Sequence, residues 1–139
     1  MSELKRFGIA MDATLLTDFD KLIARAGYRN RSEAIRDLVR DYLVADQWQD
    51  SRATVIGTIT LVYDHHSSDV EHRLTHLQHG HTGHICASTH VHLDADNCLE
   101  VIIVRGPGKI VRDMASQLIA ARSVKHGKLV CTTTGVELR

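Results

Sequence analysis

Residues 5–11 (KRFGIAM) alternate: Phe7, Ile9 and Met11 fall on one side, Arg6, Gly8 and Ala10 on the other, which predicts a short strand. The period then changes. Leu15, Leu16, Phe19, Leu22 and Ile23 recur at helical spacing behind a capping Asp12 and run up to Gly27, which suits the residue just past a helix end. The segment GYRNRSEAIRD predicts a tight connection and a second helix. Asn30 with Glu33 makes a capping-box pattern, with Ser32 as a competing cap, and Ile35, Leu38, Val39, Tyr42 and Leu43 supply the apolar stripe. A strand and two helices of this size do not easily make a stable monomer, and the strand has no partner in its own segment. Two copies that pair their strands antiparallel and interlock their helices solve both problems. The resulting two-stranded ribbon fits the DNA major groove.

A polar stretch at residues 46–52 (DQWQDSR) separates this unit from the rest, with Trp48 as junction packing. Beyond it the pattern predicts strand 53–63, helix 68–77, strand 85–93, turn 94–97, strand 98–105, helix 107–121 and strand 126–131. Pro107 suits the start of its helix. The order βαββαβ with right-handed crossovers implies an α+β chain whose second part is a four-stranded antiparallel sheet. Two helices cover one face, and the other is left open for contacts between chains. The expected domains are residues 1–48 and 53–139.

Composition narrows the function classes. The 139 residues bound the chain to one domain or two small ones, and an apolar share of 43% argues against disorder. Aromatics are only 4%, so some burial is expected from association between chains. Lys plus Arg equals Asp plus Glu at 17 each, so any contact with nucleic acid must be local, through a few arginines and helix N-termini. There is no secretory signal pattern and no run long enough to span a bilayer. An odd three cysteines fit a reducing compartment, hence a cytoplasmic protein. Histidine is the outlying residue: of ten, all but His126 fall between His65 and His92.

Within that cluster the sharpest signal is THVHLDADNCLEV. His90 and His92, two apart on a strand, face the same side, and the chain returns antiparallel after LDADN to bring Cys98 close to them. Two imidazoles and a thiolate suit nickel, copper or zinc. Even alternation puts Ile85, Ala87, Val91 and Leu93 on the opposite face and Cys86 on the histidine face, while Cys86 and Cys131 read as inert thiols. A fourth ligand is open among His72, His76, His79, His81 and His84, several of which solvation or helix capping would explain without a metal.

These residues together resemble the nickel-responsive transcriptional regulators, which join a ribbon-helix-helix domain to a ferredoxin-like (ACT-type) metal-binding domain. The matching stretches are GYRNRSEAIRD, LQHGHTG, STHVHLDADNCLEV and VKHGKL, and the resemblance covers almost the whole chain. It implies a square-planar Ni(2+) site with His90, His92 and Cys98 from one subunit and His79 from a neighbour. It also implies a homotetramer, a dimer of dimers, that binds a double-stranded DNA operator when metal-loaded and represses nickel uptake. For DNA, Arg6, Gly8 and Ala10 occupy the outward strand positions, with Arg6 able to reach guanine O6 and N7. Relatives usually carry Thr or Ser where this chain has Gly8 and Ala10, so a different operator is expected. Arg31 and Ser32 at the start of the second helix are expected at phosphates, with Lys5, Arg29 and Arg36 as further basic residues. Relatives also hold a hard cation through acidic residues matching Glu33 and Asp37, which share a helix face at i, i+4.

Two other classes draw on the same residues. A metal-dependent hydrolase would keep an open ligand position and draw a base from His66, His72, Asp64 or Glu71, but no HExxH, phosphate loop or nucleophile elbow is present. A ribbon-helix-helix regulator could instead answer to a small organic ligand or to zinc or copper. The expected reading is a regulator, not an enzyme.

Overall fold

The computed structural model describes residues 2–50, 52–80 and 83–139, the side chain of Gln78 excepted. Two compact units emerge, Met1–Arg40 and Asp41–Arg139.

In the first unit, α1 spans Ala13–Arg25 and the second helix, α2, begins at Arg31 and continues to Gln47. Asp12 caps α1 by accepting from the backbone N–H groups of Thr14 and Leu15, and Gly27 takes a positive φ of 87° just past its end. Asn30, not Ser32, caps α2: its side-chain oxygen accepts from Glu33 N–H at 2.9 Å. The strand expected over residues 5–11 is not formed in the single chain. Residues 2–12 carry no helix or strand and are exposed, because a strand exists through its ladder and one chain supplies no second strand here. Phe7 and Ile9 are left 75% and 56% exposed. They border an apolar groove of about 840 Å³ that also touches Met11, Leu16, Phe19 and Ile35.

In the second unit the four strands are β1 (Thr54–Asp64), β2 (Ile85–His92), β3 (Asn97–Pro107) and β4 (Val124–Thr133), with α3 (Asp69–Gly80) and α4 (Gly108–Ile119) as crossovers. The sheet order is β2-β3-β1-β4 and every pairing is antiparallel. This is the expected ferredoxin-like βαββαβ arrangement. Alternation sets the core: Val55, Ile59, Leu61 and Tyr63 of β1 and Ile102 and Val104 of β3 turn inward. They meet Val111, Met114 and Leu118 of α4 and Val70 and Leu77 of α3. Trp48 joins this core, its indole N–H donating to Thr132 O at 2.9 Å, while Arg112 donates to the Trp48 carbonyl at 2.8 Å.

One departure bears on the site. Ile85 pairs with Val104 but Ala87 pairs with Ile103, so Cys86 is an extra residue in the β2 ladder, a bulge on an edge strand. Ile85 therefore shares the inner face with Val104, where it packs against the core, rather than lying opposite the histidines as even alternation predicts. Cys86 drops out of the alternation and is exposed, so it does not line the histidine face as expected.

Candidate metal centre

The register of β1, β3 and β2 assembles the centre. Cys98 lies between Tyr63 of β1 and His92 of β2, and Glu100 lies between Leu61 and His90. All these side chains point to the helix-covered face, where Cys98 is fully buried and Glu100 is 5% exposed. The imidazoles reach the rim and remain open to solvent. Among the described residues, one His/Cys/Asp/Glu group has its donor atoms all within 4.8 Å of one another: His65, His90, His92 and Cys98. The sequence-predicted His90, His92 and Cys98 thus come together.

His65 is a residue that sequence spacing does not single out. It follows β1 directly and is fixed by its backbone: its N–H donates to Asp96 O at 2.8 Å, in the β2–β3 turn. The next residue is held as well, His66 N–H donating to Asp64 Oδ1 at 2.9 Å and its Nε2 lying 3.2 Å from Asp96 Oδ1. His65 Nδ1 comes 3.1 Å from Cys98 Sγ, and His92 Nδ1 lies 3.5 Å from the same sulfur. The His65 and His90 rings flank His92 edge-on, with centroids 4.6 and 4.8 Å away.

Glu100 orients His90. Its Oε2 lies 2.9 Å from His90 Nδ1, and Ser88 donates to the other oxygen. An Nδ1–H held on the carboxylate leaves the His90 Nε2 lone pair free for a metal, the usual carboxylate–histidine support of a ligand. The Tyr63 hydroxyl stands 2.9 Å from the same Nδ1 and donates to Glu100 at 3.4 Å. Burial, then the charges of Glu100 and Cys98, push the Tyr63 phenol well above its ordinary range, so it stays a donor. Burial likewise raises the Cys98 thiol, helped by Glu100, Glu71 and Asp94, so a metal must displace its proton. The donor set fits a borderline transition metal: imidazoles and one thiolate, buried on the sulfur side and backed by a carboxylate. Glu100, Tyr63 and Ser88 are not among the sequence-predicted residues, although a charged residue two positions after an inward cysteine is a readable sign.

The other histidines are accounted for differently. His79, expected from a neighbouring chain, stands exposed in the last turn of α3, outside the cluster of its own chain. His72 and His76 are exposed on the same helix. His84 Nδ1 lies 3.0 Å from Arg105 O and closes the sheet edge. His81 lies outside the described residues.

In the first unit, Arg6, Gly8 and Ala10 are exposed, as is Ser32. Arg31 is not loose: its Nε and Nη2 both donate to Asp20 at 2.8 Å. That pairing, led by the hydrogen bond, holds the Asp20 carboxyl below its usual range. Glu33 and Asp37 border a small hollow shared with Tyr28, Arg36 and Arg40. Asp37 already accepts from Tyr28 OH at 2.8 Å and from Arg40 at 3.0 Å, so the like-charge cost expected for the acidic pair is offset by arginine. Tyr28, then Arg40, hold the Asp37 carboxyl low.

Fold and site together define a class: a small two-helix domain followed by a ferredoxin-like domain with a histidine–cysteine cluster able to hold a metal. Residues 5–46 match the family model "Ribbon-helix-helix protein, copG family", and residues 56–132 match "NikR C terminal nickel binding domain". A protein of Geotalea uraniireducens named as a nickel-responsive regulator is 55% identical over 99% of both chains. Similarly named proteins of Geobacter metallireducens and Solibacter usitatus are 53% identical over 99% and 52% identical over 100% of each chain. The chain belongs to the nickel-responsive regulator family. Its family is one of regulators, not enzymes. No helix among the described residues is long and apolar enough to cross a membrane.

Proposed function

We propose that this chain is a nickel-dependent, sequence-specific DNA-binding regulator that represses nickel uptake in the cytoplasm, working as a homotetramer built as a dimer of dimers. One observation carries the reading: His90, His92 and Cys98 converge on one corner of a chain whose other unit matches a DNA-binding family. In this reading His90, through Nε2, with His92 and Cys98, offers three donors, and His79 of a neighbouring chain supplies the fourth. A ligand set divided between chains couples occupancy to how the chains pack. Nickel would be held by these imidazole and thiolate donors, which suit a borderline ion.

Association is supported on both units by apolar surface that a lone chain leaves bare. Phe7, Ile9, Leu38 and Val39 are exposed in the first unit. Val91, Ile103 and Val130 are exposed on the sheet of the second, on the face away from the helices. Pairing of the arms would complete the ribbon and present Arg6, Gly8 and Ala10 to base edges, with Ser32 and Arg31 near phosphates. Metal favours the DNA-binding state to the extent that it binds that state more tightly. Glu33 and Asp37 are assigned as a second cation site, in which Arg40 would have to release Asp37.

The test is an anaerobic nickel(II) titration of the reduced protein followed by absorption, repeated with Cys98→Ala, with DNA binding measured on the same samples. A square-planar spectrum at one nickel per chain and nickel-dependent operator binding, both lost in the variant, are expected. Nickel-independent DNA binding would sink the reading.

A further inference from the structure

We infer that His72 and His76 form a second, solvent-open metal site, a two-imidazole clamp across one turn of α3 that takes a borderline divalent ion such as nickel. Val70, Arg73, Leu74 and Leu77, at i, i+3, i+4 and i+7, are the buried and half-buried positions of this helix. His72 and His76 lie outside that stripe, both exposed and one turn apart. Residues four apart on a helix hold their Cβ atoms about 5–6 Å apart along one face. Two imidazoles reaching from there can meet on one ion. With metal–nitrogen bonds of about 2.0–2.1 Å, the two nitrogens need stand only about 2.9–3.4 Å apart. Helical histidines at the same spacing hold zinc in the HExxH motif. This chain has Arg73 where that motif has its glutamate, so the pair can bind an ion but brings no base beside it.

The surroundings leave the two rings available. Among the described residues no hydrogen bond or ion pair engages either imidazole. The intervening cation is turned away: Arg73 donates to Gln117 O at 3.2 Å and lies 3.7 Å from Asp69 Oδ1. Asp69 Oδ2 accepts in turn from Arg122 N–H at 2.9 Å. These contacts fasten α3 to α4 and to the turn after it, so the backbone under the two histidines is held. The pair is also separate from the corner at Cys98, whose donors are His65, His90, His92 and Cys98.

The rings keep their spacing only while the turn is helical, so an ion that joins them favours the helical form of α3. Two protein donors, with water completing the shell, bind more weakly than a closed set that includes a thiolate, and the clamp fills after the corner. His79 stands on the next turn, three residues beyond His76. An ion across residues 72–76 therefore steadies the helix end that, under the proposed function, offers His79 to a neighbouring chain; this consequence alone rests on that reading.

Equilibrium dialysis of the reduced full-length protein against nickel counts the ions, and hydrogen exchange read by mass spectrometry follows residues 69–80. Wild type should take up one ion per chain beyond the first, with a rise in protection across α3. His72→Gln and His76→Gln, both at exposed positions, should each weaken that second uptake roughly tenfold or more, the loss typical of even an outer-shell partner. The added protection should disappear with it. His76→Cys, which keeps a donor at the same spacing, should retain both. On a Cys98→Ala background, with the corner disabled, His72→Gln should still remove one ion. No second uptake in wild type, an uptake that ignores both substitutions, or one without protection of α3 overturns the inference. A wild type with no planar nickel spectrum counts against the nickel function instead, and the difference between wild type and His72→Gln still decides this point.

Discussion

Replacing Glu100 by glutamine removes one charge and keeps the shape, so it isolates what the buried carboxylate does for His90. In the wild type Oε2 lies 2.9 Å from His90 Nδ1, Ser88 donates to the second oxygen, and Tyr63 adds a longer bond at 3.4 Å. A hydrogen bond to a charged group contributes about 1.5–3 kcal/mol and a neutral one about 0.5–1.5, so the exchange weakens the support of His90 by about 1–2 kcal/mol. At 1.4 kcal/mol per decade that is roughly 5- to 30-fold in nickel affinity, overlapping the roughly 10- to 100-fold typical of lost outer-shell partners. The metal-free protein should lose little stability, because a buried charge is itself costly and Glu100→Gln relieves that cost while disturbing Ser88. The assay is competition with a chelator of known affinity, beside thermal unfolding of the metal-free protein. A planar nickel spectrum of normal shape, weaker affinity and a near-normal melting curve are expected. Unchanged affinity, or an affinity loss that only tracks a loss of fold, would refute the view of Glu100 as the residue that positions His90.

Further predictions bear on the other parts. Asp20→Asn frees Arg31 for phosphate, so the dependence of DNA binding on salt should steepen by about 0.9 in log–log slope for each additional phosphate neutralised, read from binding isotherms at several salt concentrations. Because the Asp20 carboxyl titrates below its unfolded value of about 3.9, the pair stabilises the fold above that pH and loses its effect as pH falls through the lower folded value. Asp20→Asn should therefore lower the melting temperature at neutral pH and not in strong acid. Gly108→Ala sets a Cβ 2.8 Å from the Trp48 carbonyl oxygen, a backbone atom that cannot swing aside, and should cost about 1–3 kcal/mol in urea unfolding. Trp48→Ala, which empties a buried site and removes the indole bond to the Thr132 carbonyl, should cost about 3–5 kcal/mol by the same measurement.

The periodic segments are legible in the sequence because burial repeats at the period of the backbone. The stripe of α4 and the alternation Val55, Ile59, Leu61, Tyr63 both mark their buried faces. His90, His92 and Cys98 are legible for the same reason, since two positions along a strand and one short turn fix where a side chain goes. What sequence spacing leaves out arises across strands. His65 stands 33 residues before Cys98, and it becomes a neighbour only because β1 pairs antiparallel with β3, in a register that puts Asp64 opposite Asn97. The bulge at Cys86 follows from how an edge strand is accommodated, and no residue there announces it. The N-terminal arm is a further case. Its alternation marks the face each residue will take, but the strand itself waits on a partner that the chain alone does not provide.

The sheet order carries one more consequence. β2 is hydrogen-bonded on one side only, to β3, yet it bears two of the proposed ligands. An outermost strand is the first part of a sheet to open, so its amides should exchange fastest with solvent deuterium in the metal-free protein. An ion that ties His90 and His92 to Cys98 acts as a rivet through the selvedge of the weave, closing one of the two borders that backbone pairing leaves loose. The rise in protection along β2 on metal loading then measures how firmly the signal is fastened at its point of origin.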